Sequence, residues 1–337
     1  MEQMTLAHTD IRISRLTVGC WSFGGEAGSY WGAQSQQAVH ELVAEALDSG
    51  INTFDTAFGY NDGRSEQSLG EALKGRRQEA VIINKIPLQT TEQLPGYRQA
   101  VEDCLKRLQT DQLDLLLIHW PTRDLTLLRA NLAALQSVKE SGLVRAVGVS
   151  NFGPGALQVA RDMGVPVALN EIAYNLMTRG IEAEVLPICR KNQIGIAAYM
   201  PLMQGILAGK YESLADIPPQ RRRSIQFDSR INPESRHGGT GAEAEVLILL
   251  EAIRQISAAS GIPQSILATA WILARPGVST VVAGCRSVDQ LRENAQAVET
   301  RLPADVLAAL DQASQPLLEK MTGELDLWQS GAASRIW

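Results

Sequence analysis

The chain has 337 residues, of which 45% are hydrophobic and 20% charged, and its formal net charge is −6. These values are typical of a globular protein with a sizeable core, and the lack of a dense Lys/Arg stripe argues against nucleic acid as a partner. No apolar run approaches the ~20 residues that a membrane-spanning helix needs, which predicts no membrane association.

The N-terminus lacks the basic and apolar segments of a signal peptide. Four widely spaced cysteines without a CxxC pair are typical of reduced thiols rather than of a disulfide frame or a zinc site. Together these features predict a cytoplasmic protein.

Short apolar runs alternate along the chain with longer segments of helical period. The predicted strands are residues 16–20, 51–55, 80–85, 113–119, 144–150, 165–171, 194–200 and 278–284. The clearest predicted helices are residues 38–49, 94–108, 125–141 and 154–163. Nearly continuous apolar strands separated by helices indicate a parallel sheet that is buried on both faces.

Eight such units make a closed (β/α)8 barrel, a TIM barrel, the simplest arrangement, with residues 1–337 in one domain. The alternative is a doubly wound open sheet, whose nucleotide-binding form has G-x-G-x-x-G directly after the first strand. The segment GCWSFGGEAG follows the first strand here and lacks that spacing, which favours the barrel.

Three segments lie outside the eight units. Residues 4–14 are predicted to form an N-terminal β-hairpin that plugs the barrel floor. Residues 201–241 form a long irregular loop after the seventh strand, and long loops of this kind are commonly functional or disordered. Its three successive arginines, residues 221–223, are interpreted as a solvated face, with an anion site as the less favoured alternative. Residues 317–337 form a C-terminal tail.

Polar residues close six consecutive predicted strands: Asp55, Lys85, His119, Ser150 with Asn151, Glu171 and Tyr199. In a barrel the carboxyl ends of the strands share one mouth, where active sites lie, so these side chains should meet. Taken singly, Lys85 could extend from a strand end, His119 could be a core histidine and Asp55 could cap a loop. Their joint occurrence favours an active site.

The stretch FDTAFGYNDGRSE places the carboxylate of Asp55 and the phenol of Tyr60 five residues apart. A nearby lysine lowers the pKa of a phenol from its usual value of ~10, and an aspartate would hold that lysine in place. A neutral histidine can donate a hydrogen bond to a carbonyl oxygen. This set suits hydride addition to a carbonyl, and because no side chain supplies hydride, a nicotinamide cofactor is implied.

The blocks INTFDTAFGYNDGRSEQSLGEAL, VIINK, LDLLLIHWP, VGVSNF, YMPLMQGILAGKY and VVAGCRSVDQLRENAQAV resemble the signature blocks of the aldo-keto reductases, in the family's order. The resemblance implies a (β/α)8 barrel that binds NADP(H) and reduces an aldehyde or ketone, such as a sugar-derived or xenobiotic one. It implies that Tyr60 is the general acid, that Lys85 and Asp55 tune it, and that His119 orients the substrate carbonyl.

The resemblance also implies cofactor positions. Ser150 and Asn151 would hold the nicotinamide carboxamide, Tyr199 would stack on the ring, and Arg286 before a helix starting near Ser287 would receive the 2′-phosphate. The implied cofactor set is Gly19, Cys20, Trp21, Asp55, Ser150, Asn151, Glu171, Tyr199, Pro201, Leu202, Gly205, Lys210, Gly284, Arg286, Gln290 and Asn294. The implied substrate set is Trp21, Tyr60, His119 and Trp120. Further candidates for the pocket wall are Trp31, Trp328 and Trp337, although core or surface packing is favoured for each tryptophan taken singly.

Three residues depart from the family pattern. Glu171 stands where glutamine is common, Asn61 where glycine often follows the tyrosine, and Gly284 where several branches have lysine. A buried glutamate is costly unless a cation pairs with it, so Glu171 is predicted to have a basic neighbour or a raised pKa.

Two alternatives to a reductase stay open at this point. One is a cofactor-sensing binding subunit, and the other is a sugar or polyol dehydrogenase that works mainly in the oxidative direction. The expected partner is a small-molecule carbonyl substrate, and the chain could be a monomer or a homo-oligomer.

Overall fold

Eight parallel strands close into a barrel in the computed structural model, which describes residues 1–337. The strands of the structure are β1 (Gln3–Thr5), β2 (Arg12–Ser14), β3 (Leu16–Gly19), β4 (Thr53–Asp55), β5 (Val81–Ile86), β6 (Leu113–Ile118), β7 (Val144–Ser150), β8 (Val167–Ala173), β9 (Gly195–Tyr199) and β10 (Val278–Gly284). From β3 onward each strand pairs with the next, and β10 closes on β3. The predicted barrel is confirmed, and all eight predicted strands are present.

Ten helices surround the barrel: α1 (Gln36–Asp48), α2 (Arg64–Ala72), α3 (Tyr97–Leu108), α4 (Leu125–Glu140), α5 (Pro154–Asp162), α6 (Val185–Lys191), α7 (Glu243–Ser260), α8 (Gln264–Leu273), α9 (Val288–Glu299) and α10 (Ala304–Lys320). Ser35, Asp124 and Ser287 cap α1, α4 and α9 by accepting a hydrogen bond from a backbone N–H of the first turn. No single helix is long and apolar enough to cross a membrane. Helices α7 and α8 meet both requirements only when taken together, and they are bent by 97° relative to each other.

Alternation along the strands separates an inner from an outer layer, because successive strand residues point to opposite faces. In β5, Val81 and Ile83 belong to a small cluster inside the barrel, whereas Ile82 belongs to the large core between strands and helices. Lys85 follows at the inward spacing of two residues. The same rule carries β6, β8 and β9 from apolar inner residues at the floor to polar ones at the mouth.

An N-terminal hairpin closes the floor of the barrel, as predicted. Strands β1 and β2 pair in antiparallel fashion. Leu6, Ile11 and Ile13 of this segment are buried and pack against the inner residues of the barrel strands. The floor is therefore sealed by apolar contacts, which leaves the opposite end as the open one.

The long loop and the tail meet over the mouth. Residues 201–241 contain three short 3₁₀ turns, Met203–Ala208, Leu214–Asp216 and Pro219–Arg221, and no longer element. The first four residues of the predicted tail instead continue α10 to Lys320. Beyond the helix the tail turns back, and the Ile225 N–H donates to the Leu327 carbonyl oxygen at 3.0 Å. This contact ties the tail to the loop.

Candidate active site

A cleft of about 660 Å³ opens at the carboxyl ends of the barrel strands. It brings together every residue of the predicted site except Cys20 and Lys85. The predicted residues in its lining are Gly19, Trp21, Asp55, Tyr60, His119, Trp120, Ser150, Asn151, Glu171, Tyr199, Pro201, Leu202, Gly205, Lys210, Gly284, Arg286, Gln290 and Asn294.

Lys85 lies fully buried behind this lining and is held by ionic contacts. Its Nζ donates to Asp55 Oδ1 at 2.6 Å, to Asp55 Oδ2 at 2.5 Å and to the Thr56 carbonyl oxygen at 3.0 Å. Burial lowers the pKa of Lys85, but the charges of Asp55 and Glu171 outweigh it and raise that pKa above its ordinary value. Lys85 is therefore a fixed cation directly behind the lining of the cleft, at the mouth of the barrel.

Tyr60 opens a tight turn directly above this cation, and Lys85 Nζ lies 5.2 Å from the centroid of its ring. The next three residues have positive φ: 49° at Asn61, 56° at Asp62 and 84° at Gly63. Asparagine tolerates this left-handed region better than most residues, which explains why it can replace glycine here. Asn61 Nδ2 also donates to the carbonyl oxygens of Trp21 and Phe23, at 2.9 and 2.8 Å. The turn is thereby tied to the loop after β3.

The pKa of Tyr60 differs in direction from the sequence prediction. Burial raises it, and the charges of Asp55 and Glu171 raise it further, whereas Lys85 acts in the predicted, lowering direction but does not prevail. In the protein without cofactor and substrate, Tyr60 is therefore protonated at neutral pH, and Lys85 limits the cost of its ionisation.

His119 lies next to Tyr60, with 5.9 Å between the two ring centroids. Burial, and then the charge of Lys85, lowers the pKa of His119 to about 3. The imidazole is neutral at pH 7, as predicted, so one ring nitrogen can donate a hydrogen bond and the other can accept one.

A hydrogen-bonded set joins the ends of β7, β8 and β9. Tyr199 Oη donates to Asn151 Oδ1 at 2.8 Å, and Asn151 Nδ2 donates to Ser150 Oγ and to the His119 carbonyl oxygen, both at 3.0 Å. Ser150 Oγ in turn donates to the Glu171 carbonyl oxygen at 3.0 Å. The donors of this set are engaged, so it can offer a ligand mainly the remaining acceptor positions of Asn151 and Ser150.

Glu171 meets both parts of the expectation stated for it. Its Oε1 lies 3.3 Å from Lys85 Nζ, which supplies the cationic neighbour. Burial raises the pKa of Glu171 well above its ordinary value, and the charge of Asp55 raises it further. Its Oε2 is buried without a hydrogen-bond partner. A buried polar atom in this state calls for a partner, and Glu171 lies in the lining of the cleft.

The other end of the cleft carries basic side chains and the N-terminus of a helix. Ser287 caps α9, as predicted, and the positive end of that helix faces the residues before it. Arg286 N donates to Gln290 Oε1 at 2.9 Å, and its guanidinium donates to the Ala33 carbonyl oxygen at 2.6 Å. Lys210 also lines the cleft. These donors fit the phosphate groups of a dinucleotide, and the unpartnered Glu171 oxygen fits an amide donor at the opposite end.

Three sequence interpretations need correction. Cys20 does not face the cleft: its side chain is buried in the outer core, and its thiol donates to the Val18 carbonyl oxygen. Trp337 does not line the cleft, because it packs against the start of α5 near Gly153 and Gly155. The arginine cluster is not a solvated face, since the Arg221 guanidinium stacks 4.3 Å from the Trp31 ring and lines the cleft.

Several cleft residues were missed by the sequence interpretation. Those from the long loop and the tail include Gln204, Tyr211, Arg221, Arg223, Glu234, Arg236 and Arg335, and others, such as Ser265 and Glu293, come from α8 and α9. The signals that pointed to any of them were the run of three arginines and the block YMPLMQGILAGKY, which contains Gln204 and Tyr211. Trp31 and Trp328, which were candidates for the wall, do line the cleft.

Comparison with known proteins adds a family relationship. A sequence model of the aldo/keto reductase family matches residues 15–315. The aldo-keto reductase YhdN of Bacillus subtilis is 32% identical over 312 residues, which cover 86% of this chain and 87% of that protein. The NADH-specific methylglyoxal reductase of Escherichia coli is 29% identical, with 95% of this chain and 100% of that protein covered.

A solved structure gives the same relationship in three dimensions. The crystal structure of an aldo/keto reductase from Klebsiella pneumoniae in complex with NADP and acetate superimposes with a TM-score of 0.69 at 27% identity. The match covers 94% of this chain and 96% of that one. The likeness therefore extends over the barrel and the segments that close its mouth.

Proposed function

The chain belongs to the aldo/keto reductase family, and on this premise we propose that it reduces an aldehyde or ketone to the alcohol with NADPH and with Tyr60 as the general acid. The observation that carries the proposal is the arrangement around Tyr60. Lys85, paired with Asp55 at 2.5 Å, lies beneath the phenol, and neutral His119 lies beside it.

The bound nicotinamide would supply the hydride that adds to the carbonyl carbon. Negative charge then develops on the carbonyl oxygen, and Tyr60 Oη donates its proton to that oxygen. The cation of Lys85 stabilises the phenolate that Tyr60 becomes, and Asp55 holds Lys85 in place. His119, being neutral, donates an N–H to the same oxygen and fixes its position. Trp21 and Trp120 flank this point and would contact the substrate.

The Tyr60 phenol donates a proton in reduction, and the phenolate accepts one in the reverse reaction, so the same arrangement serves both directions. The comparison of forward and reverse rates with matched carbonyl and alcohol substrates therefore distinguishes a reductase from a polyol dehydrogenase. A binding subunit that only senses the cofactor has no need of the proton donor, its cation and a neutral histidine at one point.

NADPH as the cofactor is supported by the donors at the far end of the cleft. The Arg286 fork, Lys210 and the start of α9 offer donors that suit a 2′-phosphate, although Glu293 lines the same end. A relative specific for NADH belongs to the same family, so the preference is a property to measure. Ser150, Asn151 and the unpartnered oxygen of Glu171 would hold the carboxamide, and Tyr199 would lie against the ring.

Tyr60→Phe tests the proposal with 4-nitrobenzaldehyde and NADPH, followed by NADPH absorbance. We expect turnover to fall by ~10²–10⁴, the range for a lost general acid, with NADPH affinity within a few-fold of the starting protein. Tyr97→Phe is the matched control, because the buried Tyr97 hydroxyl has no hydrogen-bond partner and lies outside the cleft. Unchanged turnover in Tyr60→Phe would refute the assignment, and tight NADPH binding without any turnover in the starting protein would favour the sensing subunit.

A further inference from the structure

A second group of charges lies over the outer part of the cleft and is not needed for proton transfer. The Arg335 guanidinium stacks on the Trp120 ring, 3.5 Å from its centroid. Asp326, which is fully buried, holds it through two hydrogen bonds of 2.8 and 2.9 Å. Trp120 follows His119 directly in the chain, so Arg335 is fixed close to the catalytic histidine. Its charge contributes to the lowered pKa of that residue.

Arg223 approaches the same part of the tail from the long loop. Its guanidinium lies 4.6 Å from the Trp328 ring centroid and 4.7 Å from that of Tyr30. The backbone N–H of Trp328 donates to Oδ1 of Asp326, the partner of Arg335, at 2.9 Å. The two guanidinium groups therefore converge on one short segment of the tail.

Arg223 keeps unused donor capacity. Its Nε is buried without a hydrogen-bond partner, and its only carboxylate contact is with Glu234 at 3.4 Å. The Glu234 side chain is 67% exposed, and an exposed ion pair of this length contributes little free energy. An anion placed in the cleft can therefore displace this contact at small cost and receive charge-assisted hydrogen bonds.

Aromatic rings connect this charged corner to the reacting point. The rings of Tyr60 and Trp21 stack with centroids 5.7 Å apart, and those of Trp21 and Tyr30 stack at 5.3 Å. Arg223 lies over the outer face of this row. The wall favours a flat or extended molecule whose carbonyl group is at one end and whose negative charge is at the other.

Resting on the function proposed above, we propose that the substrate is an anionic carbonyl compound. Its carbonyl oxygen lies at Tyr60 and His119, and its carboxylate or phosphate group lies at Arg223. Arg335, which is already paired with Asp326, holds the adjoining wall against Trp120. Arg223 takes no part in the proton transfer and sets specificity by pairing with a charge that is remote from the reacting carbon.

Two matched pairs of aldehydes test this assignment. The carboxylate arm compares 4′-formylbiphenyl-4-carboxylate with its methyl ester, and the phosphate arm compares 4′-formylbiphenyl-4-yl phosphate with 4′-methoxybiphenyl-4-carbaldehyde. Two rings are used because the row from Tyr60 through Trp21 and Tyr30 to Arg223 is longer than one benzene ring. We expect kcat/KM to be at least about tenfold higher for the charged member of at least one pair, mainly through KM, because one charge-assisted contact is worth that much or more. The arm with the larger ratio identifies the anion.

Arg223→Met removes the charge and keeps much of the side-chain volume. We expect it to lower the ratio of charged to neutral kcat/KM by about tenfold. Arg230→Met is the control, because Arg230 lies on the same loop, is 83% exposed and pairs with Asp228 outside the cleft. It should leave the ratio unchanged.

The outcomes separate this inference from the proposed function. Neutral aldehydes turned over as well as charged ones would overturn the inference and leave the reductase intact. No turnover of any of the four, with NADPH still bound, would overturn the proposed function itself. An Arg223→Met protein that loses NADPH affinity and slows equally on both members of a pair would assign Arg223 to the cofactor instead.

Discussion

At the floor of the barrel the inward positions of three strands carry Val81, Leu115 and Leu169, whereas the same strands carry Lys85, His119 and Glu171 at the mouth. The first set packs in one apolar cluster with Leu6, Ile11 and Ile13 of the hairpin segment. The second set either faces the cleft or lies just beneath it, and its charges are paired with each other. Along each strand the inward positions therefore contribute to stability at the floor and to chemistry at the mouth. Substitutions at the floor should lower the free energy of unfolding, whereas substitutions at the mouth should lower activity.

Lys85→Met should have the largest effect, because Lys85 belongs to both roles. Its removal leaves the carboxyl groups of Asp55 and Glu171 buried without their cation, which for a broken buried pair costs about 3–5 kcal/mol of unfolding free energy. Carbonyl reduction should also fall severely, because the Tyr60 phenolate loses its stabilising charge. Urea unfolding and steady-state kinetics measure the two effects.

The control for this variant is Lys74→Met at an exposed position. It should change neither quantity beyond about 0.5 kcal/mol. If Lys85→Met lost activity but kept full stability, the buried ion pair would contribute to catalysis and not to folding. The prediction that Lys85 has both roles would then be wrong.

Ile13→Ala tests the floor alone. Ile13 is fully buried in the hairpin, and truncation of such a residue costs about 2–5 kcal/mol. Because the substitution lies at the opposite end of the barrel from Tyr60, kcat/KM at a temperature where the variant stays folded should be unchanged. Ile248→Ala, at a position 55% exposed on α7, is the matched control and should cost little. A lower kcat/KM in folded Ile13→Ala would show that the floor is coupled to the mouth.

Arg286→Ala tests the cofactor end of the mouth and should have a smaller effect. We expect the starting protein to bind NADPH at least tenfold more tightly than NADH, or about 1.4 kcal/mol, and the variant to lose most of that ratio with NADH affinity kept. Arg292→Ala, on α9 but paired with Glu45 outside the cleft, should keep the ratio. Equal affinities for NADPH and NADH in the starting protein would contradict the phosphate role.

Glu171→Gln should have the smallest effect on rate and change mainly the pH dependence. Because the pKa of Glu171 is raised, the side chain is neutral below that pKa, where it can donate to and accept from a carboxamide, and ionised above it, where it only accepts. NADPH affinity should therefore weaken as pH rises through this raised pKa, and Glu171→Gln should flatten the curve. Titrations of cofactor fluorescence measure it, and identical curves for the two proteins would show that Glu171 does not titrate against the cofactor.

The same substitution makes a further test on stability. A glutamate whose folded pKa is raised binds its proton more tightly in the folded than in the unfolded protein, so its contribution to stability falls as pH rises from its ordinary value of 4.5 through the folded value. The free energy of unfolding of Glu171→Gln, taken relative to that of the starting protein, should therefore be higher at pH 8 than at pH 5. If the urea midpoints of the two proteins changed by the same amount between pH 5 and pH 8, the raised pKa of Glu171 would be refuted.

The sequence by itself determined the barrel, its floor and the inward polar residues of the strands, because these follow from local periodicity. Buried parallel strands are apolar on both faces, and a spacing of two residues links Ile83 to Lys85 and Ala197 to Tyr199. The same spacing also places Cys20 outward, because its neighbour Gly19 points inward. The strand periodicity therefore excludes the Cys20 side chain from the cleft. Ser287 was recognisable as a helix cap for the same local reason.

Tertiary structure decided what depends on contacts between distant segments. Arg223 and Arg335 reach the cleft from a loop and a tail without periodicity, and only the folded chain brings them together over Trp328 and Trp120. The direction of the Tyr60 pKa could not be read from its neighbours in the sequence, because it depends on the balance between burial, one cation and two carboxyl groups. Desolvation and Coulomb energy depend on distances in space, and those distances are set when β4, β5 and β8 close into one barrel.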